Sequence, residues 1–288
     1  MTQYCKSGIK KTFAALILAA NLVCLPQFTW AGSTPQVQIE VEKMNLSTGV
    51  QYSAYQVIDE RNSKRIKVVS IDADDPYTRM EVALTNGDLL SREKPSEMGR
   101  RMNAEGKAII VAANGDFFST VAPYYPIGVQ ITNYELIISP QGFPALGLTK
   151  DKKYIIGTPV LNASAGSVNR GINSSYPLAH VNRQRGTDML VLYTPAMGAN
   201  TVTNDYGTEI ILKPDDRVLK AGATYECLVT AVTTDKGNNP IPADCWVLSG
   251  NGKAQDFLQR FLLGDTIKLS LTFTDERWND VVQAVGGH

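Results

Sequence analysis

Short apolar runs with a period of two, each closed by turn-forming residues, constrain this chain more than any other feature. Val37, Ile39 and Val41 alternate with polar residues, and so do Ile267, Leu269, Leu271 and Phe273. Such alternation marks strands with one buried face. Further strand-like runs lie at 65–71, 80–84, 127–132, 145–149, 154–156, 189–193, 209–212 and 281–285. Ala108-Ile109-Ile110-Val111-Ala112 is apolar throughout, the pattern of a strand buried on both faces. Helix signals are few. One helix is predicted from Ser96, as N-cap, to Glu105, with Gly106 as stop. A second is predicted over 254–263, where Phe257, Leu258, Phe261 and Leu262 give one apolar face and Gly264 ends it. The fold class expected is α+β, a mostly β mixed sheet with few helices in one main domain.

The first residues read as an export signal. Lys6, Lys10 and Lys11 precede the apolar run 13–23, and Thr29-Trp30-Ala31 offers small residues for cleavage after Ala31. The run is shorter than the roughly 20 residues that a membrane-spanning helix needs. The expected product is a secreted or periplasmic domain, 32–288, with no membrane attachment after cleavage. With 28 basic and 28 acidic residues there is no cationic surplus to suggest nucleic acid.

Cleavage leaves Cys227 and Cys245. Outside the cytoplasm paired thiols are favoured. Residues 224–233 and 245–248 are strand-like, and 235–240 is turn-like, so a hairpin would bring the two cysteines together. A disulfide is expected, two free buried thiols being the alternative.

Three segments carry candidate chemistry. Asn114-Gly115-Asp116-Phe117-Phe118 follows the apolar run and leaves Asp116 at the end of a predicted core strand, a usual place for a site. The bland reading is a turn with two core phenylalanines. The second segment, 182–209, contains Arg183, Thr201, Thr203-Asn204-Asp205 and Gly207-Thr208-Glu209, hydroxyl-rich and closed by an acid. Loops on rigid strands are where ligands bind, although a plain polar hairpin loop would look similar. The third, Ser249-Gly250-Asn251-Gly252-Lys253, leads into the second helix, whose first N–H groups could meet a phosphate. A simple strand-to-helix turn reads the same way.

Phosphate-binding G-x-x-x-x-G-K-[ST], G-x-S-x-G and H-E-x-x-H motifs are absent. His180 sits in a strand-like context and is expected to be a satisfied structural histidine. Asn114, Asp116, Asn204 and Glu209 could supply oxygen ligands to a divalent cation, but no spacing is diagnostic, and no metal or other cofactor is predicted.

Taken in order, Val111 to Phe118, Pro126-Ile127-Gly128, Asn182 to Glu209, Val247 to Gly252, Gly264-Asp265 and Ala284-Val285-Gly286-Gly287 resemble the phosphodiester glycosidase family. The family's later Arg-Thr-Ala, Asp-Gly-Arg and Leu-Asp-Gly-Gly-Gly-Ser segments have no counterpart here. The resemblance thus implies a C-terminally incomplete member. It also implies a carbohydrate-phosphate substrate, cleaved to free sugar and a phosphomonoester. Asp116 is the expected reacting carboxylate and Glu209 its partner. Asn114, Thr203, Asn204 and Gly252 are expected to position the substrate, and Arg183 to clamp its phosphate. A non-catalytic envelope protein that binds glycan, or an inactive remnant, is the competing expectation. Oligomeric state is left open.

Overall fold

The computed structural model describes residues 37–58, 62–168 and 175–287. The signal segment and His288 lie outside the described residues. The described residues divide into two compact units, one within 37–44 and 52–69, the other within 45–51 and 70–287.

Strands β1 (Val37–Ser47), β2 (Val50–Ile58) and β3 (Ser63–Ile71) form a three-stranded sheet in that order. Gly49, at φ 71°, supplies the left-handed turn between β1 and β2. The strands predicted at 37–41 and 65–71 are present, although Val37, Ile39 and Val41 are all exposed where alternation predicts a buried face, and β2 went unread.

The larger unit holds the rest. Helix α1 (Pro95–Ala104) follows an irregular stretch that includes 80–84, which was predicted as a strand. Its N-cap is Lys94 and Pro95 occupies the first turn, so the helix begins one residue before the predicted cap, Ser96. Proline suits that turn because its missing N–H is one of the helix's unsatisfied donors. Two sheets follow. One has the order β5-β4-β15-β6-β7, built from β4 (Gln130–Thr132), β5 (Glu135–Ile138), β6 (Ala145–Thr149), β7 (Tyr154–Gly157) and β15 (Val281–Gly286). The other is a closed barrel in the order β10-β13-β11-β12-β14-β8-β9. Its strands are β8 (Leu161–Ser167), β9 (Ser175–Val181), β10 (Leu190–Tyr193), β11 (Thr208–Pro214), β12 (Ala223–Thr234), β13 (Trp246–Gly250) and β14 (Thr266–Phe273). Helix α2 (Lys253–Leu258) lies after β13 and is shorter than the predicted 254–263. The result is α+β, mostly β. Closure removes free sheet edges from the barrel.

The barrel is mixed. β9 and β10 run parallel, while its other paired strands are antiparallel. Inward positions of β14 (Ile267, Leu269, Leu271, Phe273) are all buried, as the alternation requires. They join Leu190, Leu192, Ile210, Leu212, Trp246 and Leu248 in one core that continues under the five-stranded sheet to Trp278. A Cβ on Gly147 of β6 would stand 3.0 Å from the Trp278 ring, so glycine there lets the indole approach the strand closely.

Two expectations are overturned. Cys227 and Cys245 are free and buried. The predicted hairpin fails because β11 lies between β12 and the strand that follows Cys245; Leu212 pairs with Val229 on one side and Trp246 on the other. Strands two places apart are separated by roughly 10 Å, beyond the Cα separation of about 7 Å that a disulfide tolerates. The run 108–112 is not a buried strand. It has no regular structure, and Ile110 and Val111 are 46% and 41% exposed.

Candidate functional site

Two polar centres flank the segment Arg183–Arg185, which leaves the end of β9. The first is Asp116. It is half-buried, and its Oδ2 accepts a hydrogen bond from the Gly128 N–H. The floor beneath it is made of two glycines. A Cβ on Gly128 would come within 2.7 Å of Asp116 Oδ2 and 2.8 Å of the Gly286 Cα, and one on Gly286 would collide with the same carboxylate. Any larger residue at either place would therefore lift the carboxylate from its seat.

Arg183 lies behind this floor. Its side chain is fully buried. Nε donates to the Ser139 carbonyl at 2.8 Å, Nη1 to Pro126 at 3.2 Å, and Nη2 to Ile127 at 2.9 Å and Gly128 at 2.8 Å. Nearly the whole guanidinium fork is spent on carbonyls, so the expected phosphate clamp is corrected to a backbone fastener. Gly128 is held on both sides, its N–H by Asp116 and its C=O by Arg183. Burial lowers the guanidinium to about 10, while Tyr125 and Asp116 oppose the shift. It therefore stays cationic at neutral pH. The turn that delivers it is fixed by Asn182, at φ 52° and fully buried. Asn182 donates through Nδ2 to the Ile137 carbonyl and Thr194 Oγ1, and its Oδ1 accepts from the Thr194 N–H. Asparagine tolerates the left-handed region better than other side chains.

The second centre is Glu209, buried on β11. The register sets it opposite Ser249 of β13, whose Oγ donates to Oε1 at 2.7 Å. Thr203 Oγ1 donates to Oε1 at 2.8 Å, Thr201 Oγ1 to Oε2 at 3.1 Å, and Asn239 to Oε2 through Nδ2 at 2.7 Å and its N–H at 3.3 Å. Arg185 Nη1 stands 4.0 Å away, with 3% of its side chain exposed. Arg185 also donates to Ser249 Oγ, the Asn204 carbonyl and Oδ1, and the Tyr206 carbonyl. Glu209 is thus saturated with donors and ties the loop 201–206 to the barrel. Val202, between the two threonines, is held at φ 54°. That is a strained conformation for a β-branched residue.

Tyr193 joins the centres. Its hydroxyl donates to the Arg183 carbonyl at 2.8 Å. Burial pushes the phenol well above its ordinary range, with Glu209 adding to the shift and Arg185 opposing it. Tyr125, under the Arg183 guanidinium at 5.9 Å, influences both Arg183 and Tyr193.

The other predicted residues divide. Thr203 and Asn204 belong to the Glu209 centre, though both serve the loop itself. Asn114 is exposed, two residues before Asp116. Gly252 adopts φ 55° at the start of α2, but the first N–H there, that of Lys253, already donates to Asp188 Oδ1 at 2.9 Å. A protein carboxylate therefore fills the expected phosphate seat. His180 is not satisfied: among the described residues its buried Nδ1 has no partner, and burial lowers its basicity. The sequence reading gave no role to Arg185, Asn239, Ser249, Tyr125 or Tyr193, although Ser249 stands in the third candidate segment, Tyr193 lies within the second, and Arg185 is two residues from Arg183. Among the described residues no group of three or more His, Cys, Asp and Glu side chains is arranged to hold a metal. A cavity of about 410 Å³ lies elsewhere, lined by Glu81, Arg101, Lys107 and Glu135 among others, and contains none of the predicted residues. Its cations Arg101 and Lys107 are paired with Glu81, Glu93 and Glu105.

No family model and no curated protein matches the chain. Solved structures resemble its fold, two of them as follows. One is a hypothetical protein from Synechocystis, at TM-score 0.67 and 17% identity, covering 90% of this chain and 44% of that one. The other is from Burkholderia pseudomallei K96243 and is named "Putative exported protein", at TM-score 0.60 and 14% identity, covering 89% of this chain and 73% of that one. The chain thus spans less than half the length of the first. Among the described residues no helix is long and apolar enough to cross a membrane. At these identities the likeness is one of fold.

Proposed function

We propose that this chain is an exported hydrolase that cleaves a sugar-1-phosphodiester to free sugar and a phosphomonoester, with Asp116 as the reacting carboxylate. The observation that carries the reading is the seat of Asp116: a half-buried carboxylate that accepts from the Gly128 amide on a floor of two glycines, with a buried guanidinium behind it. In glycosyl cleavage a carboxylate activates water or stabilises an oxocarbenium-like transition state. The departing phosphomonoester has a second pKa near 6, so it leaves without a strong general acid. Glu209 then acts as a positioning residue, fixing Thr201, Thr203 and Asn204. Export rests on the signal-like residues 1–31, with the name of the Burkholderia protein in support.

A second reading, sugar binding without cleavage, is favoured by one feature. Arg183 and Arg185 are both spent on their own chain, so neither is a free clamp for phosphate. One experiment separates the two. The exported chain and its Asp116→Asn variant are given a methyl sugar-1-phosphodiester, and released reducing sugar is measured. Cleavage requires turnover by the parent chain and a loss of at least ~100-fold in the variant, the scale of a positioned acid–base group. Equal turnover by both removes Asp116 from the chemistry. Binding by both without release establishes the second reading.

A further inference from the structure

The backbone of residues 110–115 makes no hydrogen bond among the described residues. Ile110 and Val111 are 46% and 41% exposed, and Phe117, Phe118 and Val121 beside them are 63%, 47% and 74% exposed. Residues 108–115 carry no charge. An apolar run with idle amides is a template for strand pairing. The sequence also says which strand would fit. Read about Ile110, Ala108-Ile109-Ile110-Val111-Ala112 is nearly its own reverse. An antiparallel two-fold pairing sets Ile110 against Ile110, Ile109 against Val111, and Ala108 against Ala112. Small residues then meet small ones and β-branched residues meet β-branched ones, the pairs that stabilise sheets.

The local geometry chooses the same centre. Asn103 of α1 occupies one edge, its Oδ1 accepting from the Ile109 N–H at 2.6 Å and its Nδ2 donating to the Ile109 carbonyl at 3.4 Å. Once the run is extended, alternate residues point their N–H and C=O to opposite edges. Asn103 therefore caps the edge of 109 and 111, and leaves open the edge of 108, 110 and 112, on which the palindrome is centred. We propose that residues 108–112 form the shared strand pair of a symmetric homodimer. The contact is isologous, so it closes with two copies and does not propagate. It is independent of the reading of Asp116.

Sedimentation equilibrium of the exported chain tests it. The parent chain is a dimer. Ile110→Lys, which sets two ammonium groups opposite each other, weakens association at least ~10-fold while far-UV circular dichroism still shows the folded β-rich chain. Ile110→Cys forms an intermolecular disulfide on mild oxidation faster than Leu263→Cys, another exposed site. A parent chain monomeric at every soluble concentration overturns the proposal. So does a dimer indifferent to Ile110→Lys, or a different polypeptide found seated on the run.

Discussion

Replacing Glu209 by glutamine changes almost nothing in size and should nevertheless be severe. Five hydrogen bonds end on the Glu209 carboxylate, from Thr201, Thr203, Ser249 and both nitrogens of Asn239. The amide nitrogen takes the less damaging place if it replaces Oε1, where Thr203 and Ser249 can turn their hydroxyls to accept. The three bonds to Oε2 survive, but they lose charge assistance. Bonds to charged groups are worth about 1.5–3 kcal/mol and neutral ones about 0.5–1.5, so roughly 1 kcal/mol is lost at each. Arg185, 4.0 Å away, also loses its nearby countercharge. Removing one partner of a buried pair costs about 3–5 kcal/mol when taken alone, and the contributions overlap. The expected loss is about 3–5 kcal/mol. Urea unfolding followed by tryptophan fluorescence reads it as a lower midpoint at an unchanged slope. A Glu209→Gln chain within ~1 kcal/mol of its parent refutes the picture of Glu209 as the fastening of the 201–206 loop.

Val202→Gly should raise or leave unchanged the melting temperature, since the penalty of about 1–2 kcal/mol for a left-handed β-branched residue offsets the roughly 1 kcal/mol entropic cost of glycine; a clear drop in thermal scans argues against strain at that position. Non-reducing mass spectrometry after denaturing alkylation should find Cys227 and Cys245 both modified. In the folded protein Cys227, whose thiol burial pushes up to about 12, should resist alkylation near neutral pH; a mass showing no alkylation even after unfolding indicates a disulfide instead. His180 is less basic folded than unfolded, because burial and Arg183 disfavour its cation. The unfolded chain therefore binds the proton first, and stability is lost as pH falls below the ordinary value near 6.5. His180→Gln should flatten that decline in urea midpoints measured across pH 7 to 5, and an unchanged slope counts against the assignment.

Alternation along a strand is local, which is why β14 could be read from Ile267, Leu269, Leu271 and Phe273. Strand order is not local. Nothing in residues 227–245 reveals that β11 inserts between their strands, so a plausible hairpin and its disulfide were expected where neither exists. The run 108–112 shows a different limit. Its composition states what it is suited to pack against, not whether this chain supplies a partner. The candidate site was half legible. Asp116, and the loop from Thr201 to Glu209, stand out as polar residues beside apolar strands. The inward turn of Arg183 does not, because the carbonyls it meets come from residues 126–128 and 139, far away in sequence. Glycine's role under Asp116 was equally hidden, since Gly128 and Gly286 meet only in the folded chain.

The two sealed arginines bear on how any anion would experience this end of the molecule. Glu209 balances Arg185 at close range, so the remaining source is Arg183, anchored inside the scaffold on the carbonyls it holds. Dissolved ions screen charges at the surface far more than charges beneath it. Attraction from such a source should change little with ionic strength, and so be distinguishable from that of flexible surface cations.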